Sequence, residues 1–122
     1  AWRLTMGLTR VEAVVTGPTA KSARVELLVD SGAVYSLLPD GLWREIELSP
    51  KRRMRFSLAD GTAIERDVSE CHFTLGDADG HSPVILGEPG DEALLGTVTL
   101  EVMGLMLNPF KRTLEPMRML LA

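Results

Sequence analysis

The sequence predicts an all-β chain that closes into a barrel-like fold with one or two short helices. Short runs alternate apolar and polar residues with a period of two, the spacing of a half-buried strand. Glycine and proline interrupt those runs every few residues, as turns between strands require. The connections left between runs are short, which suits a compact barrel or sandwich.

At 122 residues the chain reads as one domain over positions 1–122. With 45% hydrophobic residues it has enough apolar side chains for a core without metals or disulfides. A net charge of −4 argues against a general nucleic-acid binder, which needs a basic surface to neutralise phosphates. The basic run Lys51-Arg52-Arg53 with Arg55 reads as a solvated strand face. No apolar stretch approaches the roughly 20 residues of a membrane span. The N-terminus carries no long apolar segment of the signal-peptide kind. Met6-Gly7-Leu8 reads as a native start, with residues 1–5 as a leader or vector remnant. The single Cys71 has no partner for an internal disulfide, which points to a reducing, cytoplasmic setting.

Taken in order, Val11–Thr16 is the first expected strand, broken by Gly17-Pro18. Ala23–Asp30 is the second and Val34–Leu37 the third. Pro39-Asp40-Gly41 turns the chain into a short helix over Leu42–Ile46, ending before Ser49-Pro50. Arg53–Leu58 and Thr62–Val68 form a hairpin around Ala59-Asp60-Gly61, because Asp-Gly between strand patterns favours a tight turn. A second hairpin links Cys71–Leu75 to Ser82–Leu86 through Gly76-Asp77-Ala78-Asp79-Gly80. That acidic turn lacks the further ligands of a calcium loop and reads as a plain turn. Cys71 faces the core with Phe73 and Leu75, so it cannot meet the adjacent His72 as a nucleophile pair. Ala93–Leu95 is a short buried strand meeting Gly96. Thr97–Met103 is a short helix capped by Thr97, packed through Val98, Leu100 and Val102 and stopped by Gly104. Leu105–Leu107 and Arg112–Leu121 supply the last strands.

The run Leu27-Leu28-Val29 drives straight into Asp30-Ser31-Gly32-Ala33. An acid at the end of a buried strand is costly to ionise unless donors meet it. It serves chemistry there, or caps a turn, and Asp-Ser-Gly alone fits either. The other acids compete poorly: Asp40, Asp60, Asp77, Asp79 and Asp91 sit in turn-like segments, and Glu101 falls on a helix surface. His81 reads as a turn histidine, with no second histidine at metal-ligand spacing.

Together these pieces resemble a retropepsin-like aspartic protease, the single-domain class of retroviral proteases and small prokaryotic relatives. The resemblance covers roughly residues 8–121. Asp30-Ser31-Gly32-Ala33 matches the family's Asp-Thr/Ser-Gly-Ala. Arg53–Val68 stands where the family has its flap hairpin. Val84-Ile85-Leu86-Gly87, Ala93-Leu94-Leu95-Gly96 and the helix follow its closing pattern, and Met103–Pro109 is similar to small prokaryotic members. The resemblance implies an aspartic endopeptidase whose catalytic Asp30 is supplied once by each subunit of a homodimer. Two such carboxylates about 3 Å apart share one proton.

It further implies that Ser31 bonds across the dimer, that Gly32 permits a tight turn, and that Ala33 leaves room for substrate backbone. Leu58, Ala59, Asp60 and Gly61 would form the substrate-covering flap tip, and Leu58, Ile85 and Leu95 the pocket walls. The partners implied are a second copy and a peptide or protein substrate, with no metal, cofactor, nucleic acid or membrane. Two features depart from the pattern: the flap tip holds one glycine, and Thr97 replaces the charged residue that retroviral enzymes place after Gly96. The alternative is a catalytically silent dimerisation or peptide-binding module on the same fold. A stable monomer brought into activity by a partner or substrate is a third reading. The apolar run Met117, Met119, Leu120, Leu121 fits an interface strand, and a core strand equally well.

Overall fold

The computed structural model describes residues 4–5 and 8–118. Ten strands and two short helices are described: β1 (Leu4–Thr5), β2 (Leu8–Thr16), β3 (Ser22–Val29), β4 (Ser36–Leu38), α1 (Asp40–Glu45), β5 (Arg52–Ser57), β6 (Ala63–Leu75), β7 (Ala78–Leu86), β8 (Leu94–Leu95), α2 (Thr97–Val102), β9 (Leu105–Asn108) and β10 (Thr113–Pro116). The all-β expectation is borne out. Residues 1–3, within the expected leader, and Met119, Leu120 and Leu121 of the apolar C-terminal run lie outside the described residues.

Eight strands form one sheet in the order β1-β2-β3-β8-β4-β7-β6-β5. β2 also pairs with β6, Val14–Thr16 lying against His72–Thr74, so the sheet returns upon itself. Most pairs are antiparallel, but β3–β8 and β4–β7 are parallel. β9 and β10 form a separate two-stranded sheet.

The side chains enclosed by this sheet form the core. Phe73, Leu27, Leu38, Ile46 and Leu95 are its largest fully buried members. Each such burial is worth about 1.5–3 kcal/mol relative to exposure. As expected, Cys71, Phe73 and Leu75 point inward while His72 and Thr74 do not. Burial pushes the Cys71 thiol up to about 12, which leaves it an inert core residue. His72 instead bonds Asp79 across the hairpin at 2.7 Å.

Four sequence expectations need correction. The stretches over Thr62–Val68 and Cys71–Leu75 are one continuous strand, β6, 13 residues long. The period of two breaks at Val68 and Ser69, both buried, where β6 passes from pairing with β5 to pairing with β7. The turn of the second hairpin is only Gly76-Asp77, since Ala78, Asp79 and Gly80 already pair with β6. The first helix begins at Asp40, because Pro39 sets an extended φ of −66° at its N-cap and Asp40 pairs with Arg44 one turn on.

The fourth correction concerns α2. Gly96, not Thr97, is its N-cap, and no side chain caps it. Its core-facing residues are Thr99, Leu100 and Met103, whereas Val102 remains 44% exposed. Helical packing follows steps of three and four, so the alternation Val98, Leu100, Val102 was the wrong period. Gly104 does end the helix, with φ +71°.

Candidate active site

β3 delivers Asp30 at its C-terminal end. The Asp30 N–H still bonds the Leu95 carbonyl of β8 at 3.0 Å, as a strand residue would. The chain then turns: the Ala33 N–H donates to the Asp30 carbonyl at 3.1 Å, and the Gly32 N–H donates to Asp30 Oδ1 at 2.9 Å. That second bond is an Asx turn, in which the acid fixes its own loop. A Cβ on Gly32 would stand 3.2 Å from Asp30 Oδ1, a tight contact that the carboxylate would have to shift by a few tenths of an ångström to relieve. Asp30 is half-buried, and Ser31 beside it is exposed.

The loop is gripped from outside by the start of α2. The first N–H groups of a helix have no partner within it. Here Thr97 N–H donates to the Ala33 carbonyl at 2.9 Å and Val98 N–H to the Val34 carbonyl at 3.0 Å. Gly96 is pressed against the same segment: a Cβ on it would lie 2.6 Å from the Tyr35 carbonyl carbon and 2.7 Å from the Val34 oxygen. No side chain fits there.

Next to the loop opens a cleft of about 450 Å³. It is lined by Gly32, Ala33, Leu37, Ile85 and Leu94, together with Phe56, Leu58 and Ile64 from the β5–β6 hairpin. Tyr35 meets Phe56 edge-on, with ring centroids 6.0 Å apart, and its hydroxyl accepts from Arg52 at 3.2 Å. Arg66 lies in the cleft wall and pairs with Glu88 at 2.7 Å.

The hairpin tip is a three-residue turn. Gly61 has φ +88° and its N–H donates to the Leu58 carbonyl at 3.0 Å, the arrangement that favours glycine at this position. Asp60 Oδ1 accepts from both the N–H and the hydroxyl of Thr62, at 2.9 and 2.6 Å. Those two bonds, the hydroxyl first, hold the Asp60 carboxyl below the usual carboxylate range. Ala59 is exposed at the same tip.

Of the residues singled out in the sequence, Gly32, Ala33, Leu58 and Ile85 therefore share one cleft; Asp30 belongs to the same loop, two residues before Gly32, but does not itself line the cleft. Ser31 opens instead onto a neighbouring apolar groove with Thr97, Leu100, Leu105 and Met106. Leu95 lies elsewhere: it is fully buried in the core, and Leu94 lines the cleft in its place. Neighbouring strand residues face opposite ways, so only one of the two can do so.

Sequence reasoning also missed three buried hydroxyls. Thr99 Oγ1 lies 2.5 Å from Ser36 Oγ and 2.8 Å from Ser82 Oγ. Ser36 alternates with buried Leu38, and Ser82 with buried Val84 and Leu86. That period was the available sign that both serines face inward.

Residues 11–99 match the aspartyl protease family. The chain belongs to this family, in its retropepsin-like form. The matched span takes in the Asp30 loop, the β5–β6 hairpin and the start of α2, while β9 and β10 lie beyond it. In fold the aspartyl protease chain is similar to the solution structure of the simian foamy virus (mac) protease. The two are 21% identical with a TM-score of 0.54, covering 75% of this chain and 91% of the viral one. No curated protein sequence matches the chain. No helix among the described residues is long and apolar enough to cross a membrane.

Proposed function

We propose that this chain is an aspartic endopeptidase that hydrolyses extended peptides as a homodimer. The observation that carries the reading is the lone Asp30, braced in the loop whose Gly32 and Ala33 line an apolar cleft. One carboxylate is half of the machinery, and a two-fold axis at Ser31-Gly32 would bring the second. One ionised and one neutral carboxyl then hold a water between them. As the water oxygen attacks the scissile carbonyl carbon, the ionised Asp30 takes its proton and the neutral one protonates the carbonyl oxygen. A second proton transfer to the amide nitrogen lets the C–N bond break, leaving a carboxyl and an amine. The titration belongs to the pair.

In this reading the β5–β6 hairpin is the flap, and Leu58, Ala59, Asp60 and Gly61 lie over a substrate bound by strand-like main-chain bonds. Ser31 reaches the partner's loop. Ile85 and Leu94 are walls of the side-chain pocket. The single buried Cys71 supports a cytoplasmic home.

A mixed peptide library, offered over about pH 4–7 to the wild type and to Asp30→Asn, tests this. We expect the wild type to cleave and the variant to lose about 10³-fold in rate. Silence from both in a demonstrably dimeric protein favours the peptide-binding module. Equal cleavage by both removes Asp30 from the chemistry.

A further inference from the structure

We infer that Ser36, Thr99 and Ser82 form a one-way hydrogen-bond chain that holds the Asp30 loop in its working shape, which makes Thr99 a positioning residue. The inference rests on the proteolytic reading above.

The direction follows from the two ends. The Gly96 N–H can only donate, and it donates to Ser36 Oγ at 2.9 Å. At the other end the Pro83 carbonyl can only accept, and Ser82 Oγ donates to it at 3.1 Å. Each hydroxyl has a single proton to give. Ser82 spends its proton on Pro83, so Thr99 must donate to Ser82 across 2.8 Å. Ser36 must then donate to Thr99 across 2.5 Å. Four bonds run one way, from the α2 N-cap through β4 and α2 to β7, and no buried side-chain oxygen among the described residues is left unpaired.

The chain is dry as well as directed, since Ser36, Thr99 and Ser82 are all at most 1% exposed. In such surroundings successive hydrogen bonds strengthen one another, and an orphaned hydroxyl is costly. Three apolar side chains of the same shape would serve stability about as well. What hydrogen bonds add is fixed geometry. The chain starts on Gly96, the residue pressed against Val34 and Tyr35, and Gly96 stands between two other anchors of the loop. Leu95 on one side accepts from Asp30, and Thr97 on the other donates to Ala33. The three hydroxyls thus tie the Asp30 loop to the middle of β7, the strand that pairs with β4.

The test compares Thr99→Val, which removes the hydroxyl at nearly constant volume, with Thr99→Ser, which keeps it. Amide hydrogen exchange and steady-state peptide cleavage are measured on the full chain. In Thr99→Val we expect the amides of Asp30, Thr97 and Val98 to exchange about tenfold faster, with the β2–β3 ladder unchanged. We also expect kcat to fall about tenfold and KM to stay within about twofold. Thr99→Ser restores both. Ser82→Ala, which leaves the Thr99 hydroxyl without its acceptor, should show the same pattern about threefold weaker.

Uniform acceleration of exchange across the chain, or an unchanged kcat in Thr99→Val, overturns the inference. So does failure of all three variants to fold, which would make the hydroxyls stability elements. If the wild type cleaves no peptide, the proteolytic reading fails by itself, and the local exchange pattern alone decides whether the chain anchors the loop.

Discussion

Asp30 and Asp60 open two turns built on the same local device. In each, a carboxylate oxygen accepts the N–H two residues on: Gly32 for Asp30 and Thr62 for Asp60, both at 2.9 Å. The two turns differ in where their remaining bonds go. The Asp30 turn is wired to the core: its N–H is held by β8, and the carbonyls of Ala33 and Val34 are held by α2. The Asp60 turn satisfies itself, through Leu58 with Thr62, Gly61 with Leu58, and Asp60 with Thr62. A turn closed on itself can move as a unit without breaking its own bonds. One wired into two other elements cannot. Under the proposed function, the difference is what a protease needs, a fixed acid and a movable cover.

The largest contrast should come from the acids. Asp30→Asn is expected to cost about 10³-fold in peptide cleavage. Asp60→Asn should leave turnover at the wild-type level, since an asparagine oxygen can accept the same N–H. Loss of activity in Asp60→Asn would show that the cover's carboxylate does more than hold its own turn.

Next come the neighbouring leucines of β8. Leu95→Ala opens a cavity in the closed core and should cost about 3 kcal/mol in urea unfolding. Leu94→Ala faces the cleft, so it should cost about 1 kcal/mol and act mainly by raising KM.

The glycines give a smaller contrast. Gly96→Ala must displace the Val34–Tyr35 backbone and should destabilise by about 2–3 kcal/mol, with kcat falling. Gly61→Ala meets open space but keeps a positive φ, so about 1 kcal/mol is expected, with the effect confined to the cover.

The smallest effect is that of pH on the tip. The Asp60 carboxyl lies below its ordinary value when folded, so its contribution to the turn is present above the unfolded value. It is lost as pH falls through the lowered one. Protection of the Thr62 amide, its exchange taken relative to the intrinsic rate at each pH, should therefore fall as pH drops through that lowered value. Protection that stays constant on acidification would contradict a role for the Asp60 carboxylate in holding the turn.

Much of this was legible in the residues. Local signals gave Asp30-Ser31-Gly32-Ala33 at a strand end, the hairpin around Asp60-Gly61, the alternation over Cys71–Leu75 and the stop at Gly104. Each depends on contacts within a few residues, and propensity and period report on those directly. Where a segment changes partners, the local signal fails. β6 was read as two pieces because Val68 and Ser69 are buried in succession. In α2 the helix itself is legible, but of the expected contacts Val98, Leu100 and Val102 only Leu100 is buried, beside Thr99 and Met103. The choice between Leu94 and Leu95 as pocket wall is not legible either, since alternation tells which residues face opposite ways, not which side faces inward.

By itself, then, the sequence determined the strand-and-turn alphabet, the acid with its glycine, and the family these imply. Tertiary structure decided that Leu94 faces the cleft and Leu95 the core, since that follows from the position of β8 between β3 and β4. It also decided that Ser36 meets Thr99 across 63 residues of chain, and Thr99 meets Ser82 across 17. A hydroxyl in sequence carries no direction. It acquires one only when strand order places a donor on one side, an acceptor on the other, and no water between.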